Sequence, residues 1–272
     1  MIELVIGGDN MRFYQVDSFT DQLFLGNPAG VVLLEGQWLE DITMQNIAME
    51  NNLAETAFVL KDEDKKMFIR WFTPTTEVDL CGHATLAAAH VLFVHENIGT
   101  NYLEFNSKKG ILSVEYAGDL LTLDFPKDKI YQIEFSHELD CFNFKPKEVW
   151  RGTGEFVLIF ENEEQVRNAI CDLEKTKKLD LAGFIITAES NLKDIDFVSR
   201  CFFPKIGINE DPVTGSAHTL LVPYWEKILD KKEFTAIQLS KRGGKLYCQS
   251  FDSRVKISGK AVTYLIGDIF GS

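Results

Sequence analysis

A motif that occurs twice, about 130 residues apart, constrains this chain more than any other feature. The first copy, Arg70-Trp-Phe-Thr-Pro74, leads through an acidic loop to Gly82-His-Ala84 and then to an apolar segment. The second copy, Arg200-Cys-Phe-Phe-Pro204, leads in the same way to Gly215-Ser-Ala217 and a second apolar segment. A shared order of motifs over roughly 130 residues indicates an internal duplication, so we expect two halves of similar fold.

The two apolar segments, Thr85–Val94 and Thr219–Leu229, are apolar on nearly every side. A helix with that pattern is buried all round. Two further segments, Asp41–Asn51 and Glu163–Leu173, have an amphipathic helical pattern, and each precedes its Arg-x-Phe-x-Pro motif. We therefore expect one central helix and one amphipathic helix in each half.

Most of the remaining chain consists of short segments that are rich in β-branched and aromatic residues and end near turn formers, as strands do. The predicted strands are Phe13–Val16, Gly30–Leu34, Ala57–Leu60, Phe68–Phe72, Gly110–Tyr116, Leu120–Phe125, Phe156–Phe160, Gly183–Ala188, Phe197–Phe203, Gln238–Ser240 and Lys245–Ser250. The expected fold is α+β, with two pseudo-symmetric domains at residues 1–126 and 127–272. Each domain would wrap a curved, mostly antiparallel sheet around its central helix, and the two glycine motifs would face one cleft.

Composition excludes several classes of function. The formal net charge of −13 argues against nucleic acid as a partner, since phosphate binding needs clustered Lys and Arg. No stretch reaches the roughly 20 apolar residues of a membrane span, so we expect no membrane partner. Residues 1–10 lack the pattern of a secretory signal, which makes the cytoplasm the expected compartment. The five scattered cysteines favour neither a disulfide framework nor a zinc site, and we expect no metal.

The two glycine motifs are candidates for binding an anion. Backbone N–H groups at the start of a helix have no partner within the helix and lie at the positive end of its dipole. Gly82, Gly215 and Ser216 therefore become candidate substrate-binding residues for a small carboxylate. The alternative is that they only cap their helices, as Gly and Ser often do. A pair of such starts would also stabilise enolate-like charge in a transition state.

Glu55 is the candidate general acid/base. It lies between the end of a predicted helix and a strand whose following residues are apolar, so we expect it to be partly desolvated. Desolvation favours the protonated form of a carboxyl group and suits it to proton transfer near neutral pH. His83 and Asp211, beside the two glycine motifs, are its candidate catalytic partners. The alternatives are that the imidazole of His83 caps its helix and that the carboxylate of Asp211 complements the helix dipole. His90 and His218 are expected to be core histidines.

Cys81 raises a different chemistry. A racemase that uses two thiols needs one cysteine before each central helix, and Thr214 occupies the corresponding place in the second half. A buried Cys81 is more often a small apolar side chain than an acid or base. A racemase or epimerase that depends on Cys81 nevertheless stays open as an alternative.

Four motifs in register resemble the PhzF (phenazine-biosynthesis-like) family. They are Asn27-Pro-Ala-Gly30, Leu53-Ala-Glu-Thr-Ala-Phe58, Asp79-Leu-Cys-Gly-His-Ala-Thr85 and Asp211-Pro-Val-Thr-Gly-Ser-Ala-His218. The likeness extends from about Met11 to Gly259. It implies the diaminopimelate-epimerase-like fold, usually as a homodimer, without metal or organic cofactor.

In the characterised family member a glutamate moves a proton from one carbon of a dihydro-hydroxyanthranilate to another. The resemblance implies that Glu55 has this role, that His83 and Asp211 position substrate and relay protons, and that Gly82 and Ser216 offer donors to it. It does not imply that the organism makes phenazines. We expect the acidic loop Thr75–Asp79 to disfavour a dianionic substrate, which puts an anthranilate-type substrate in doubt. A small-molecule-binding homodimer without catalysis is the third hypothesis.

Overall fold

A computed structural model describes residues 9–271, so the prediction for residues 1–8 lies outside the described part of the chain. The chain divides into two compact units. The first contains the described residues up to Leu23, then Pro28–Leu121 and the residues from Ala261 onward. The second contains Phe24–Asn27 and Thr122–Lys260. These bounds differ from a division at residue 126, mainly because the C-terminal segment belongs to the first unit.

The elements are numbered in chain order. The first part of the chain contains β1 (Asp9–Ser18), β2 (Asn27–Glu35), α1 (Asp41–Asn51), β3 (Glu55–Lys61), β4 (Met67–Phe72), β5 (Glu77–Val78), α2 (Gly82–His90), β6 (Tyr102–Ser107), β7 (Gly110–Ala117) and β8 (Leu120–Pro126). It is followed by β9 (Tyr131–Ile133), β10 (Glu148–Arg151), β11 (Glu155–Ile159), α3 (Glu163–Arg167), α4 (Leu173–Lys177), β12 (Gly183–Glu189), β13 (Phe197–Phe203), β14 (Ile208–Asp211), α5 (His218–Leu229), β15 (Glu233–Gln238), β16 (Gly244–Ser250), β17 (Arg254–Gly259) and β18 (Ala261–Gly271).

The two units repeat one order of strand pairing. In the first, β2 and β3 are parallel, β3 and β4 antiparallel, β4 and β5 antiparallel, β4 and β6 parallel, and β6 and β7 antiparallel. In the second, the same directions join β11 to β12, β12 to β13, β13 to β14, β13 to β15, and β15 to β16. The predicted α+β fold with two similar halves is confirmed, with mixed sheets and few helices.

Each unit has an apolar central helix, as predicted. In α2, the eight residues from His83 to His90 are buried, and the helix packs on β1, β3 and β18. Its last turn widens into a π-helical turn at Val91–His95. In α5, Pro223 has no N–H for the carbonyl of Thr219, one turn earlier. That carbonyl accepts a hydrogen bond from the N–H of Asp128 at 3.2 Å instead, so the proline costs the helix little.

The repeated arginine of the first unit ties a strand to a helix. Arg70 on β4 donates two hydrogen bonds to the carboxylate of Glu77 on β5, at 2.7 and 2.9 Å, and a third to Asp41 in the first turn of α1, at 2.8 Å. Its guanidinium lies 5.2 Å from the centre of the Phe72 ring, a cation–π distance. The motif is therefore a structural joint.

The repeated arginine of the second unit forms the equivalent joint. Arg200 on β13 donates two hydrogen bonds to Glu210 on β14, at 2.7 and 3.0 Å, and lies 5.0 Å from the centre of the Phe202 ring. Its remaining nitrogen donates to backbone carbonyls at the end of α3, among them that of Ala169 at 2.8 Å. The planar fork of arginine serves both contacts at once, which lysine does not do.

The secondary structure departs from the predictions in three ways. The helix expected at Glu163–Leu173 is divided into α3 and α4, because Ile170 and Asp172 form backbone hydrogen bonds with the segment at Cys141–Asn143 instead. The strand expected at Gln238–Ser240 lies earlier in the chain, as β15, which ends at Gln238. The predictions omitted seven strands: β5, β6, β9, β10, β14, β17 and β18. Strand β18 pairs antiparallel with β1 along its whole length, with a bulge where Tyr264 lies opposite the step from Gln15 to Val16. Within residues 9–271, none of the helices is long and apolar enough to cross a bilayer.

Candidate active site

The start of α2 brings two predicted catalytic residues together in the first unit. Glu55 is the first residue of β3 and only 8% exposed, as expected from its apolar surroundings. Small Ala29 lies opposite it on the parallel strand β2, which leaves room for the carboxylate. His83, the second residue of α2, is also buried, and its Nε2 lies 3.2 Å from Oε2 of Glu55. The two atoms are close enough for an ion pair, although their angles are not those of a good hydrogen bond.

The backbone at this helix start is held by side chains of the same unit. Ser18 Oγ donates to the carbonyl of His83 at 2.8 Å, and Thr85 Oγ1 donates to the carbonyl of Cys81 at 2.6 Å. The thiol of Cys81 lies 3.5 Å from Nδ1 of His83. The imidazole is therefore fixed between a thiol and a carboxylate.

The electrostatics of this group favour a protonated imidazole beside a carboxylate. Burial opposes the charge on His83, but the contact with the Cys81 sulfur and the carboxyl group of Glu55 raise the pKa of His83 well above its ordinary value. Burial, and then the charge of Glu55, raises the pKa of Cys81, so the thiol keeps its proton near neutral pH.

Glu55, Cys81 and His83 also offer atoms that metals use as ligands, and these atoms lie within 4.8 Å of one another. The imidazole, however, directs its two nitrogens to different neighbours, Nδ1 to the thiol and Nε2 to the carboxylate. Because one ring nitrogen faces the thiol and the other faces the carboxylate, a proton on either nitrogen has a neighbour to which it can be donated. The group is better suited to holding and moving protons.

Gly82 opens α2 as predicted, and no side chain caps this helix. The second motif differs from the prediction. Gly215 and Ser216 lie in a turn before α5, because the N–H groups of His218 and Thr219 bond to carbonyls three residues earlier, at 3.0 Å each. Among residues 9–271, no hydrogen-bond partner is found for the N–H groups of Gly215, Ser216 and Ala217. The turn thus presents three available backbone donors.

Asp211, the third predicted catalytic residue, is 8% exposed and belongs to the second unit. Its Oδ1 accepts from Nδ2 of Asn27 at 2.8 Å, and its Oδ2 accepts from Oγ1 of Thr214 at 2.5 Å. Both oxygens are therefore engaged by neighbouring side chains. These contacts give Asp211 a role in holding the turn at Gly215 and Ser216.

Two residues of this network were not predicted as functional. Asn27 lay within a recognised motif, but its contact with Asp211 joins positions 184 apart in the chain, which no local pattern signals. Gln238 is fully buried at the end of β15 and bonds to Thr214 and Asp211. A lone glutamine at a strand end gives no signal in a single sequence.

His90 and His218 are buried, as expected for core histidines. Nε2 of His90 lies 2.9 Å from Oγ1 of Thr263. Burial lowers the pKa of His218 to about 4, so its imidazole is neutral near neutral pH. Nδ1 of His218 then donates to the carbonyl of Thr214 at 3.0 Å.

The duplicated register identifies equivalent residues in the two units. Glu77 and Glu210 each bond to the repeated arginine, and counting forward from them places Thr214 at the position of Cys81. Thr214 donates its hydroxyl proton to Asp211 and offers no thiol. The arrangement therefore lacks the second thiol that a two-thiol racemase needs.

The acidic loop is more neutral than the sequence suggested. Glu77 bonds to Arg70 and also accepts from Nζ of Lys108 at 2.6 Å. Asp79 lies 3.0 Å from Nζ of Lys109. Because three cations offset these two carboxylates, the expected repulsion of a dianionic substrate loses its basis.

Comparison with known proteins gives one family. A family model described as phenazine biosynthesis-like protein, PhzC-PhzF, matches residues 16–267. An uncharacterized isomerase of Halalkalibacterium halodurans is 43% identical over 259 residues, which cover 94% of this chain and 97% of that protein. The crystal structure of a phenazine biosynthesis protein of the PhzF family from Enterococcus faecalis has a TM-score of 0.92 and 42% identity, covering 96% of this chain and 100% of that one.

The fold is shared more widely than the sequence. A hydroxyproline epimerase from Agrobacterium vitis, solved with bound trans-4-hydroxy-L-proline, has a TM-score of 0.60 at 12% identity. The match covers 96% of this chain and 92% of the epimerase. At that identity the likeness concerns the fold alone.

Proposed function

Because this chain belongs to the phenazine biosynthesis-like (PhzC-PhzF) family, we propose that it is an isomerase that moves a proton between two carbons of a small carboxylic acid. Glu55 is the general acid/base in this proposal. The observation that carries it is the buried contact at 3.2 Å between Glu55 and His83, at the start of an uncapped helix.

The proposed reaction begins with Glu55 ionised and His83 protonated. The carboxylate removes a proton from a carbon of the substrate, and the electron pair of the broken C–H bond moves into an enolate-like system that is conjugated with the substrate carboxylate. The neutral carboxyl group of Glu55 then returns the proton to a different carbon of that system. Atoms and charge balance within the enzyme and substrate, and no other reactant is needed.

His83 has a supporting role in the proposal. An imidazolium beside Glu55 stabilises the carboxylate before proton removal, and it offers a proton to negative charge that develops on the substrate. Ser18 holds the backbone carbonyl of His83, and the thiol of Cys81 lies beside Nδ1 of its ring. Asp211, whose oxygens are occupied by Asn27 and Thr214, acts as a positioning residue.

Backbone donors complete the proposed site. Gly82 in the first unit, and Gly215 and Ser216 in the second, are the proposed substrate-binding residues, since free amides at such positions bind anions. We also propose that the protein works as a homodimer without a cofactor, which light scattering of the purified protein and activity after exhaustive chelation would check.

The test combines binding with exchange. A panel of cyclic and unsaturated carboxylic acids is screened first for thermal stabilisation of the protein, and each acid that binds is then incubated with it in D₂O. We expect at least one binder to isomerise with deuterium uptake at carbon, read by mass spectrometry. Binders that neither isomerise nor exchange would contradict the proposal and favour a non-catalytic binding protein.

A further inference from the structure

The second unit contains a buried polar network that surrounds one residue, Thr214. Each polar group of Thr214 is bonded: its N–H donates to Oε1 of Gln238 at 2.8 Å, its hydroxyl donates to Asp211, and its carbonyl accepts from His218. Gly215 and Ser216, with their available N–H groups, follow directly. The geometry of these donors is therefore set by how firmly Thr214 is held.

Gln238 makes the largest contribution to this network. Besides accepting from Thr214, it donates through Nε2 to the carbonyl of Asp211 at 2.8 Å and to Oγ1 of Thr214 at 3.2 Å. The thiol of Cys201 adds a weak donor at 3.6 Å to Oε1. One side chain thus joins β15 to both ends of the segment from Asp211 to Thr214.

Only a primary amide meets these requirements. The position needs an acceptor for one N–H and a donor for two oxygens, in a place with no exposure to water. A carboxylate there would repel Asp211 and lose both donated bonds, and an apolar side chain would leave buried polar groups unpaired. An unpaired buried group is costly, so the network stays intact only with glutamine.

From these contacts we infer that Gln238 is a positioning residue, which fixes the Gly215–Ser216 turn in the form that binds a carboxylate. The inference deepens the proposed function and rests on it, since it assumes that this turn contacts substrate. Gln238 touches neither the proposed acid/base nor any reacting atom. Its effect is expected on binding at the turn.

The test uses benzoate as the probe, with nitrogen-15 NMR of the whole protein. In the wild type, benzoate should shift the amide resonances of Gly215 and Ser216. In Gln238→Met, which keeps the length of the side chain and removes its hydrogen bonds, the benzoate Kd should rise about tenfold or more, and the amide of Thr214 should exchange faster with solvent. Thr214→Val keeps the hydrogen bond from its backbone N–H to Gln238 and loses the hydroxyl, so it should raise the benzoate Kd by roughly fivefold. This variant replaces Gln238→Met in the test if Gln238→Met does not fold.

Thr187→Val is the matched control. Thr187 is fully buried in the same unit and bonds to Val198 and Trp225, so its loss removes two buried hydrogen bonds without touching Thr214. We expect this variant to lose stability and keep the wild-type Kd. The inference is overturned if Gln238→Met binds benzoate as the wild type does, if Thr187→Val weakens binding equally, or if benzoate leaves the Gly215 and Ser216 amides unshifted. Because the readout is binding, it stays separate from any failure of Glu55 as acid/base.

Discussion

The starts of the two central helices occupy equivalent places in a duplicated fold, yet they hold their polar groups in opposite ways. At the start of α2, Glu55 and His83 face each other as a buried pair, 3.2 Å apart. Before α5, the charge of Asp211 is enclosed by donors from Asn27 and Thr214. The same pairing order supports both regions, so the difference comes from a few side chains.

This difference suggests how a duplicated fold divides its work. A carboxylate that lies next to an imidazole, as Glu55 does, is suited to proton transfer. A carboxylate whose two oxygens accept hydrogen bonds from neighbouring side chains, as those of Asp211 do, is suited to holding the backbone in place. Residues at equivalent positions changed character: Cys81 corresponds to Thr214, and His83 to Ser216. The start of α2 has side chains suited to moving protons, and the segment before α5 has side chains that hold a turn.

The largest difference between the two starts is expected from His83→Asn and Ser216→Ala. Loss of the imidazolium beside Glu55 should lower turnover by roughly 10²-fold, the lower end for a positioned acid/base group. Ser216→Ala removes one exposed hydroxyl and leaves the backbone donors, so the loss should be about fivefold or less. Steady-state kinetics with a substrate found by the exchange screen measures both. Equal losses would erase the proposed division between the starts.

A second contrast concerns space at the strand that carries Glu55. Arg70 pairs with Phe58 and Arg200 with Ile186, so Gly183 occupies the position of Glu55 in the second unit. A Cβ on Gly183 would overlap the carbonyl of Phe202 and the ring of Phe203.

Gly183→Ala should therefore destabilise the protein by about 1–3 kcal/mol, the usual cost of overpacking. The matched variant, Gly30→Ala, meets only the side chains of Phe13 and Thr56, at 3.0 Å, and should cost about 1 kcal/mol or less. The loss of stability of each variant is measured from its midpoint of denaturant unfolding, provided that the m-value stays constant. A larger loss for Gly30→Ala would show that the two positions are packed differently from this account.

The third contrast depends on pH. Hydrogen bonds from Arg70, opposed by partial burial and helped by Lys108, lower the pKa of Glu77 from 4.5 to about 2. A lowered folded-state pKa stabilises the fold above the unfolded value, and this contribution is lost as the pH falls from about 4.5 through about 2. The free energy of unfolding of Glu77→Gln should therefore fall less steeply than that of the wild type across that pH range. Since the Glu77 side chain is partly exposed and its partner Lys108 is mostly exposed, solvent screens the interaction and the difference should be modest; identical acid profiles would contradict the pairing.

The smallest effect is expected at Cys81. Its thiol is buried and its raised pKa keeps it protonated, so iodoacetamide should react slowly at neutral pH. Cys81→Ser keeps a small polar side chain next to His83 and should change turnover by about fivefold or less. Rapid alkylation with complete loss of activity would instead support thiol chemistry at this helix start.

Much of the fold follows from patterns that lie within short segments. The duplication, both apolar helices and the helix at Asp41–Asn51 depend on local periodicity, and their positions match the structure. The division of Glu163–Leu173 into two helices was not predictable, because it depends on pairing with Cys141–Asn143. The pairing of β18 with β1 connects segments that are far apart in the sequence, so no local pattern predicts it.

The candidate site was predicted in part for the same reason. Glu55 and His83 stand next to recognisable strand and helix starts, and burial of both agrees with the apolar residues around them. The contacts of Asp211 come from Asn27 and Thr214, of which only Thr214 is near in sequence. Gln238 lies 24 residues beyond Thr214, so its part in the network appears only once the sheet is formed.

The most direct test of the central claim is deuterium uptake at the substrate carbon, compared between the wild type and Glu55→Gln in D₂O. Glu163→Gln is the control, because Glu163 is a buried carboxylate bonded to Arg167 and Ser190, where a structural role is evident. The account predicts that Glu55→Gln binds the same ligand and loses about 10²–10⁴-fold in exchange rate, while Glu163→Gln keeps its rate. Exchange by Glu55→Gln at the wild-type rate would contradict the account, because a different group would then be moving the proton.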